Sequence, residues 1–416
     1  MNPERERPVT ERLFDTAADL FWHKGYAATT TREIASAVGI QQASLYHHMA
    51  SKEDLVYKIC LSSLERFLAE VPAAVNAALS PLDRIHALIR AHLATLLSHQ
   101  RRYVTVLTEL RSLTPPHLKE VVALRDQYDR FVRSIIENAQ SAGLIRGDIA
   151  SKYLSIALMS VLNYTALWFR KEQALGEDQL AAIFTTIFFK GAAARRSAPS
   201  LRWSEPAEDS GKPTPRSRKK SSVTRNCESP ALARALDAAI ALFSRKGYTA
   251  TSTREVAALI GMQKASLYYH IDSKEDLLYL VCRATLEQIR HDVETAIQGV
   301  DEPLDRLRAL IVSHVESLVR DAQPHSITFT EMHALSKDRL AQVMALRDEH
   351  EGLVRKTVQE GQRTGVLRDD IDAKYLCLTL LGMINRVTRW YRPSGPLTPH
   401  QVGQLLAVIF LTGAAV

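Results

Sequence analysis

Cysteine is scarce in this 416-residue chain: Cys60, Cys227, Cys282 and Cys377 stand apart, with no Cys-x-x-Cys pair and no Cys/His cluster. That scatter argues against a disulfide framework or a zinc site and reads as buried or idle thiols in a reducing compartment. No apolar run approaches the roughly 18 residues of a membrane span. The opening MNPERERPVTER is charged and lacks the apolar core of a signal peptide. A cytoplasmic protein with no membrane partner is expected. Strict apolar–polar alternation is also missing, which argues against strands. What is present, 46% hydrophobic and 24% charged residues, is a globular composition. The length alone predicts about two to four domains.

The formal charge of +7 points toward nucleic acid only until it is located. Residues 195–225 hold nine Lys/Arg against three Asp/Glu, so this one stretch supplies nearly all of it. The flanking segments are close to neutral, and a DNA-binding reading has to rest on local motifs.

Those motifs come in pairs. "GIQQASLYHHMASKEDL" starts at Gly39, and "GMQKASLYYHIDSKEDL" starts at Gly261, an offset of 222 residues. The same shift carries Lys24-Gly25-Tyr26 onto Lys246-Gly247-Tyr248, Leu124-Arg125-Asp126 onto Leu346-Arg347-Asp348, and Lys152-Tyr153-Leu154 onto Lys374-Tyr375-Leu376. Register holds without a gap from about Leu13 to the end, and 17 of 27 positions are identical between 29–55 and 251–277. The period is far too long for a solenoid, so a whole domain of about 185 residues is copied in tandem. Between the copies, the Ser/Pro/Lys/Arg-rich stretch with its basic run Arg216–Lys220 reads as a flexible, solvated linker.

Within each copy the pattern is helical throughout, and an all-α fold is expected. A glycine stop at Lys24-Gly25 ends a first helix. Thr30 with Glu33, and Ser252 with Glu255, fit capping boxes that begin a second. That helix ends at Gly39 (Gly261), and Gln41 to Met49 form a third. Short helix, glycine turn, short helix is the grammar of a helix-turn-helix, which places the third helix in a major groove. Ala43, Leu45 and Met49 are its apolar anchors. Gln and Ser suit base edges, whereas Tyr, His and Lys suit phosphate oxygens.

Thr-Thr-x-Arg-x-Ile-Ala, then Gly-x-x-x-Ala-Ser-Leu-Tyr-x-His, then Ser-Lys-Glu-Asp-Leu closely resembles the TetR family of bacterial transcriptional regulators, twice over. The resemblance implies DNA-binding helix-turn-helix domains at 10–56 and 230–278, ligand-binding and dimerisation domains at 57–194 and 279–416, and a linker at 195–229. It also implies that Gln41, Gln42, Ala43 and Ser44 face bases while Thr31, Tyr46, His48 and Lys52 hold the backbone of double-stranded operator DNA. In the second copy the same roles fall to Gln263, Lys264, Ala265 and Ser266, and to Thr253, Tyr268, His270 and Lys274. Family members pair as homodimers of one such domain, whereas this chain owns both halves. A linker of roughly 35 residues reaches up to about 115 Å, and tethering favours intramolecular pairing over a homodimer of chains. The differences Gln42/Lys264 and His47/Tyr269 predict a near-palindrome with unequal halves.

The stretches 152–170 and 177–190, with 374–392 and 399–412, are apolar nearly all round and suit a four-helix interface. Helices near 82–98, 101–111 and 118–141 are expected to enclose a ligand cavity. Polar residues at matched positions are its candidate lining: Glu109, Arg125, Asn163 and Trp168, and Glu331, Arg347, Asn385 and Trp390. "LLGMINRVTRWYRPSGPLTPHQV" (Leu380–Val402) is similar to the C-terminal segment of TetR members that answer to acyl-CoA thioesters or related lipids, which implies a small hydrophobic or acyl-CoA-like effector. No cofactor or metal is implied. An enzyme is disfavoured because no nucleophile–base pair or phosphate loop stands out. A regulator without ligand response, acting as an architectural or recruiting module, is the alternative.

Overall fold

The computed structural model describes residues 8–170, 175–191, 222–225, 227 and 229–413. The basic run Arg216–Lys220 and the linker before Ser222 lie outside them. The chain divides into two compact units, one ending at Phe189 and the other spanning Lys190–Gly413. Every element among the described residues is helical, and no helix there is long and apolar enough to cross a membrane.

In the first unit, α1 (Val9–Lys24), α2 (Thr31–Val38) and α3 (Gln42–Leu45) form a head. The body follows as α4 (Lys52–Asn76), α5 (Pro81–Ser98), α6 (Gln100–Thr108), α7 (Pro115–Ser141), α8 (Ser151–Trp168) and α9 (Glu177–Lys190). Helix α4 belongs to both, since it packs on α1 and on α5, α6 and α7. The second unit repeats this order. A turn, α10 (Ser222–Arg225), precedes the head α11 (Pro230–Lys246), α12 (Thr253–Leu259) and α13 (Lys264–Leu267). Then come α14 (Lys274–Ile297), α15 (Pro303–Arg320), α16 (Ala322–Glu331), α17 (Lys337–Arg363), α18 (Ala373–Asn385), α19 (Val387–Trp390) and α20 (Pro399–Thr412).

Three expectations need correction. The expected linker does not extend to residue 229: Val223 and Thr224 of α10 are buried, and Val223 joins the core of the second head. The single helix expected over 374–392 breaks at Arg386, where the chain tightens into an i→i−3 bond from Arg389 N–H to Arg386 C=O. The third helix of each head is one turn long rather than running to Met49, because the backbone after Leu45 continues in i→i−3 turns through His48.

The copies also differ in how their last helix packs. In the second, α15 and α20 run in close contact, and a Cβ at Gly403 would lie 2.7 Å from Val312 Cα. Only glycine permits that approach. The first copy carries Ala181 and Arg90 at these positions, and there α5 and α9 are bridged by side chains, Arg90 to Asp178 at 2.8 Å. Gly403→Ala is therefore expected to cost the second copy about 1–3 kcal/mol through overpacking. Calorimetry should show its transition lowered and that of the first copy unmoved.

Candidate nucleic-acid interface

Each head is built by local signals that satisfy its backbone. The N–H of Glu33 donates to Thr30 Oγ1 at 3.2 Å, and the N–H of Thr30 donates to Glu33 Oε2 at 2.8 Å. Ser252 and Glu255 repeat the box, as the capping pattern predicts. Gly39 stops α2 in the left-handed region at φ +79°, its N–H returning to Ala35 C=O. Arg12 caps the same end by donating to Val38 C=O at 2.6 Å, and Arg234 does so to Ile260 C=O in the second head.

Helix α3 is held by two buried side chains, Leu45 and Met49, and α13 by Leu267 and Ile271. Anchoring one side leaves the other side outward. Gln41, Gln42 and Ala43 are exposed and Ser44 is half-buried, with the same pattern at Gln263, Lys264, Ala265 and Ser266. Ala43 is thus no anchor: its methyl sits on the open face. Tyr46 is 51% exposed and Tyr268 41%, while Tyr269 stands out at 88%. The Tyr268 hydroxyl lies 3.1 Å from that of Thr253, with the Lys264 ammonium 5.5 Å above its ring. Thr31 opens α2, and His48 is half-buried with its ring near the Thr10 hydroxyl, whereas His270 is exposed. Exposed amides, hydroxyls and a lysine on one short helix form a surface suited to base edges and phosphates.

The two lysines at the start of the fourth helix sit differently. The Lys52 ammonium donates to the carbonyls of Tyr26 and Thr29, both at 2.8 Å, and lies 4.3 Å over the Tyr26 ring. Lys274 repeats this on Tyr248 and Thr249. Burial lowers both pKa values. Each lysine ties the α1–α2 loop to the body's first long helix. A lysine on phosphate would contribute about one unit to the salt slope. Lys52→Met is instead expected to destabilise the head by about 1.5–3 kcal/mol while leaving the salt slope of DNA binding unchanged, which titrations at several salt concentrations would check.

The proposed pocket residues do not gather at one place. Glu109 and Arg125 both act on the buried Cys60 thiol, which burial first and Glu109 next push up to about 12. Glu109 also acts on Lys52 and Tyr26, and Glu331 on Lys274 and Tyr248, so both carboxylates lie at the joint between head and body. Arg347, Trp168 and Trp390 are half-buried. Asn163 is elsewhere, in a buried polar cluster that sequence reading missed. Its Oδ1 accepts from Tyr103 at 2.7 Å and lies 3.1 Å from His92 Nε2, while His92 Nδ1 is 2.8 Å from the Tyr128 hydroxyl. Asn385 lies near His314, the counterpart of His92.

A second omission is Arg102. Its side chain is 3% exposed, and it bridges α6 to α1 by donating to Asp15 at 2.5 Å and pairing with Glu11 at 2.7 Å. Burial raises the Glu11 pKa, but the Arg102 hydrogen bond and charge outweigh it, and the net direction is down. The second copy has Pro324 here, and Asp237, the counterpart of Asp15, instead accepts from Thr224 of α10 at 3.1 Å.

The TetR-family model of bacterial regulatory proteins matches residues 13–59 and 235–280, and the tetracyclin repressor-like C-terminal domain matches 78–192 and 300–414. The chain belongs to the TetR family. It carries that family's N-terminal and C-terminal domains twice. The transcriptional repressor KstR2 of Mycobacterium tuberculosis is 28% identical over 179 residues, 43% of this chain and 90% of KstR2. KstR2 of Rhodococcus jostii is 28% identical over 181 residues, 43% of this chain and 89% of its own. Among solved structures, the TetR regulator PfmR from Thermus thermophilus is 30% identical with a TM-score of 0.40, covering 42% of this chain and 96% of PfmR.

Proposed function

We propose that this TetR-family regulator is a ligand-responsive repressor whose two heads read the two halves of one near-palindromic operator as an intramolecular pseudo-dimer. The observation that carries the reading is the paired surface: Gln41–Ser44 and Gln263–Ser266 are displayed alike over buried Leu45 and Leu267. Lys264 and Tyr269, where the first head has Gln42 and His47, make the halves unequal. Two heads matched to half-sites about 34–36 Å apart lose affinity when their spacing changes. A small hydrophobic or acyl-CoA-like effector in the helical bodies would act through that spacing, a reading supported by the family's C-terminal domain in both copies and by relatives that are repressors.

The test is light scattering of the full chain with operator DNA, alone and as Tyr46→Ala or Tyr268→Ala. A hydrogen bond to a charged phosphate contributes about 1.5–3 kcal/mol, so each substitution is expected to weaken binding about tenfold to a hundredfold. One chain per operator is expected. Two chains per operator would replace the pseudo-dimer with pairing between molecules, and unchanged affinity in both variants would remove the tyrosines from the interface.

A further inference from the structure

We propose that the second copy alone receives the effector, and that its receptor group is the His314–His350 pair, which takes a neutral molecule bearing a hydroxyl or a carboxamide. This deepens the ligand-responsive reading and rests on it.

The first copy's polar cluster is closed. His92, Tyr103, Tyr128 and Asn163 satisfy one another, and the Phe67 ring packs against three of them at centroid distances of 4.8, 4.9 and 5.5 Å. At the matched positions of the second copy, Phe67 becomes Ile289, Tyr103 becomes His325 and Tyr128 becomes His350. Every change is to a smaller side chain, and the aromatic plug and both phenols are lost. Five helices, α14 to α18, each bring one member: Ile289, His314, His325, His350 and Asn385.

The remaining hydrogen bonds do not close the set. His350 Nε2 lies 3.3 Å from His314 Nδ1. His314 Nε2 and His350 Nδ1, on residues 1% and 7% exposed, make no hydrogen bond of normal geometry, although the Asn385 side chain stands close enough to His314 to offset part of the effect of its burial. Such buried orphans are rare and costly. Their chemistry follows from the bond they flank. A neutral imidazole donates at one nitrogen and accepts at the other. Whichever ring donates across the 3.3 Å contact, one orphan nitrogen is a donor and the other an acceptor. Burial keeps the rings uncharged, with His350 and His325 pushed down to about 4 and His314 well below its ordinary value. Arg290, the cation acting on His350, is paired with Glu349. A hydroxyl or carboxamide both donates and accepts, whereas an ionised carboxylate only accepts and would leave the accepting nitrogen unmet. Among the described residues no group of three metal-binding side chains is placed to hold a metal ion.

Histidine-¹⁵N spectra of the full chain, titrated with cyclohexanol and separately with cyclohexanecarboxylate, test this. Cyclohexanol is expected to move the His314 and His350 nitrogens and leave His92 in place, and the carboxylate to move neither. The double variant His325→Tyr/His350→Tyr and the single variant Ile289→Phe, each of which restores first-copy bulk, are expected to abolish the His314 shift while melting no lower than the parent. Silence at His314 and His350 in the parent chain would assign the orphan nitrogens to trapped water and overturn the proposal. So would an equal shift at His92, or an equal response to the carboxylate. Operator binding is read separately: a chain that shows the shifts but ignores DNA sinks the repressor reading and leaves the receptor site standing.

Discussion

Arg102→Ala is expected to destabilise the first copy by about 3–5 kcal/mol, the usual consequence of removing one partner from a buried ion pair. The guanidinium is 3% exposed and reaches two carboxylates and the Glu11 carbonyl, so truncation strands several groups at once. Glu11 and Asp15 keep about a third of their side-chain surface, and partial hydration should hold the loss toward the lower end of that range. The effect should fall on the α1–α6 joint. Hydrogen exchange of α1 amides is expected to accelerate while α11 stays protected, since the second head uses Thr224 and Pro324 instead. Adding Glu11→Gln and Asp15→Asn to Arg102→Met should recover much of the loss, because a fully neutral joint leaves no uncompensated charge. If the single variant lost less than about 1 kcal/mol, as an exposed pair does, the bridge would be ornamental and the head would depend on α4 alone.

How much of this was legible in the sequence depended on whether a feature is local. The capping boxes at Thr30 and Ser252, the glycine stops and the outward Gln41–Ser44 face follow from short-range rules, and the duplicated phrase at offset 222 exposed the tandem architecture. For Lys52 the family position suggests phosphate, while in the fold its ammonium lies on carbonyls 23 and 26 residues away, contacts that no local pattern announces. Glu109 and Asn163 were joined by their polarity alone, and tertiary packing put one under the head and the other in the body's polar cluster. Arg102 was invisible because its partners lie 87 and 91 residues upstream. One signal was available and unused. With the repeats aligned, Tyr103/His325 and Tyr128/His350 are paired substitutions, and histidine at all three of the matched positions 314, 325 and 350, where the first copy has only His92, marks a changed core.

That changed core predicts an unequal response to acid. Burial first, with Arg290 adding for His350, holds the second copy's His350 at about 4; burial likewise holds His325 at about 4 and His314 well below its ordinary value. Around His325 the charges of Asp321, Arg320 and Asp292 partly offset one another without reversing the direction. The first copy has His92, at about 3, and the less buried His99, which burial first and then Arg66 and Arg102 lower. An unfolded histidine titrates near 6.5, so below that pH the unfolded chain takes up protons that the folded chain refuses. Their full contribution is therefore present above about pH 6.5 and is lost as pH falls toward 4, at up to about 1.4 kcal/mol per pH unit for each ring. Carboxylates with lowered pKa values, such as Glu53, Glu275 and Asp292, begin to lose their contribution only as pH falls into the ordinary carboxylate range. The interval between pH 6.5 and about 4.5 thus isolates the histidines. Calorimetry across it, with hydrogen exchange assigning each transition, should show the second copy's Tm falling more steeply than the first's, while His325→Tyr/His350→Tyr removes the excess. Parallel slopes in the parent chain would mean that the second copy's imidazoles accept protons without unfolding, and the polar core of that copy would then be open to water rather than sealed.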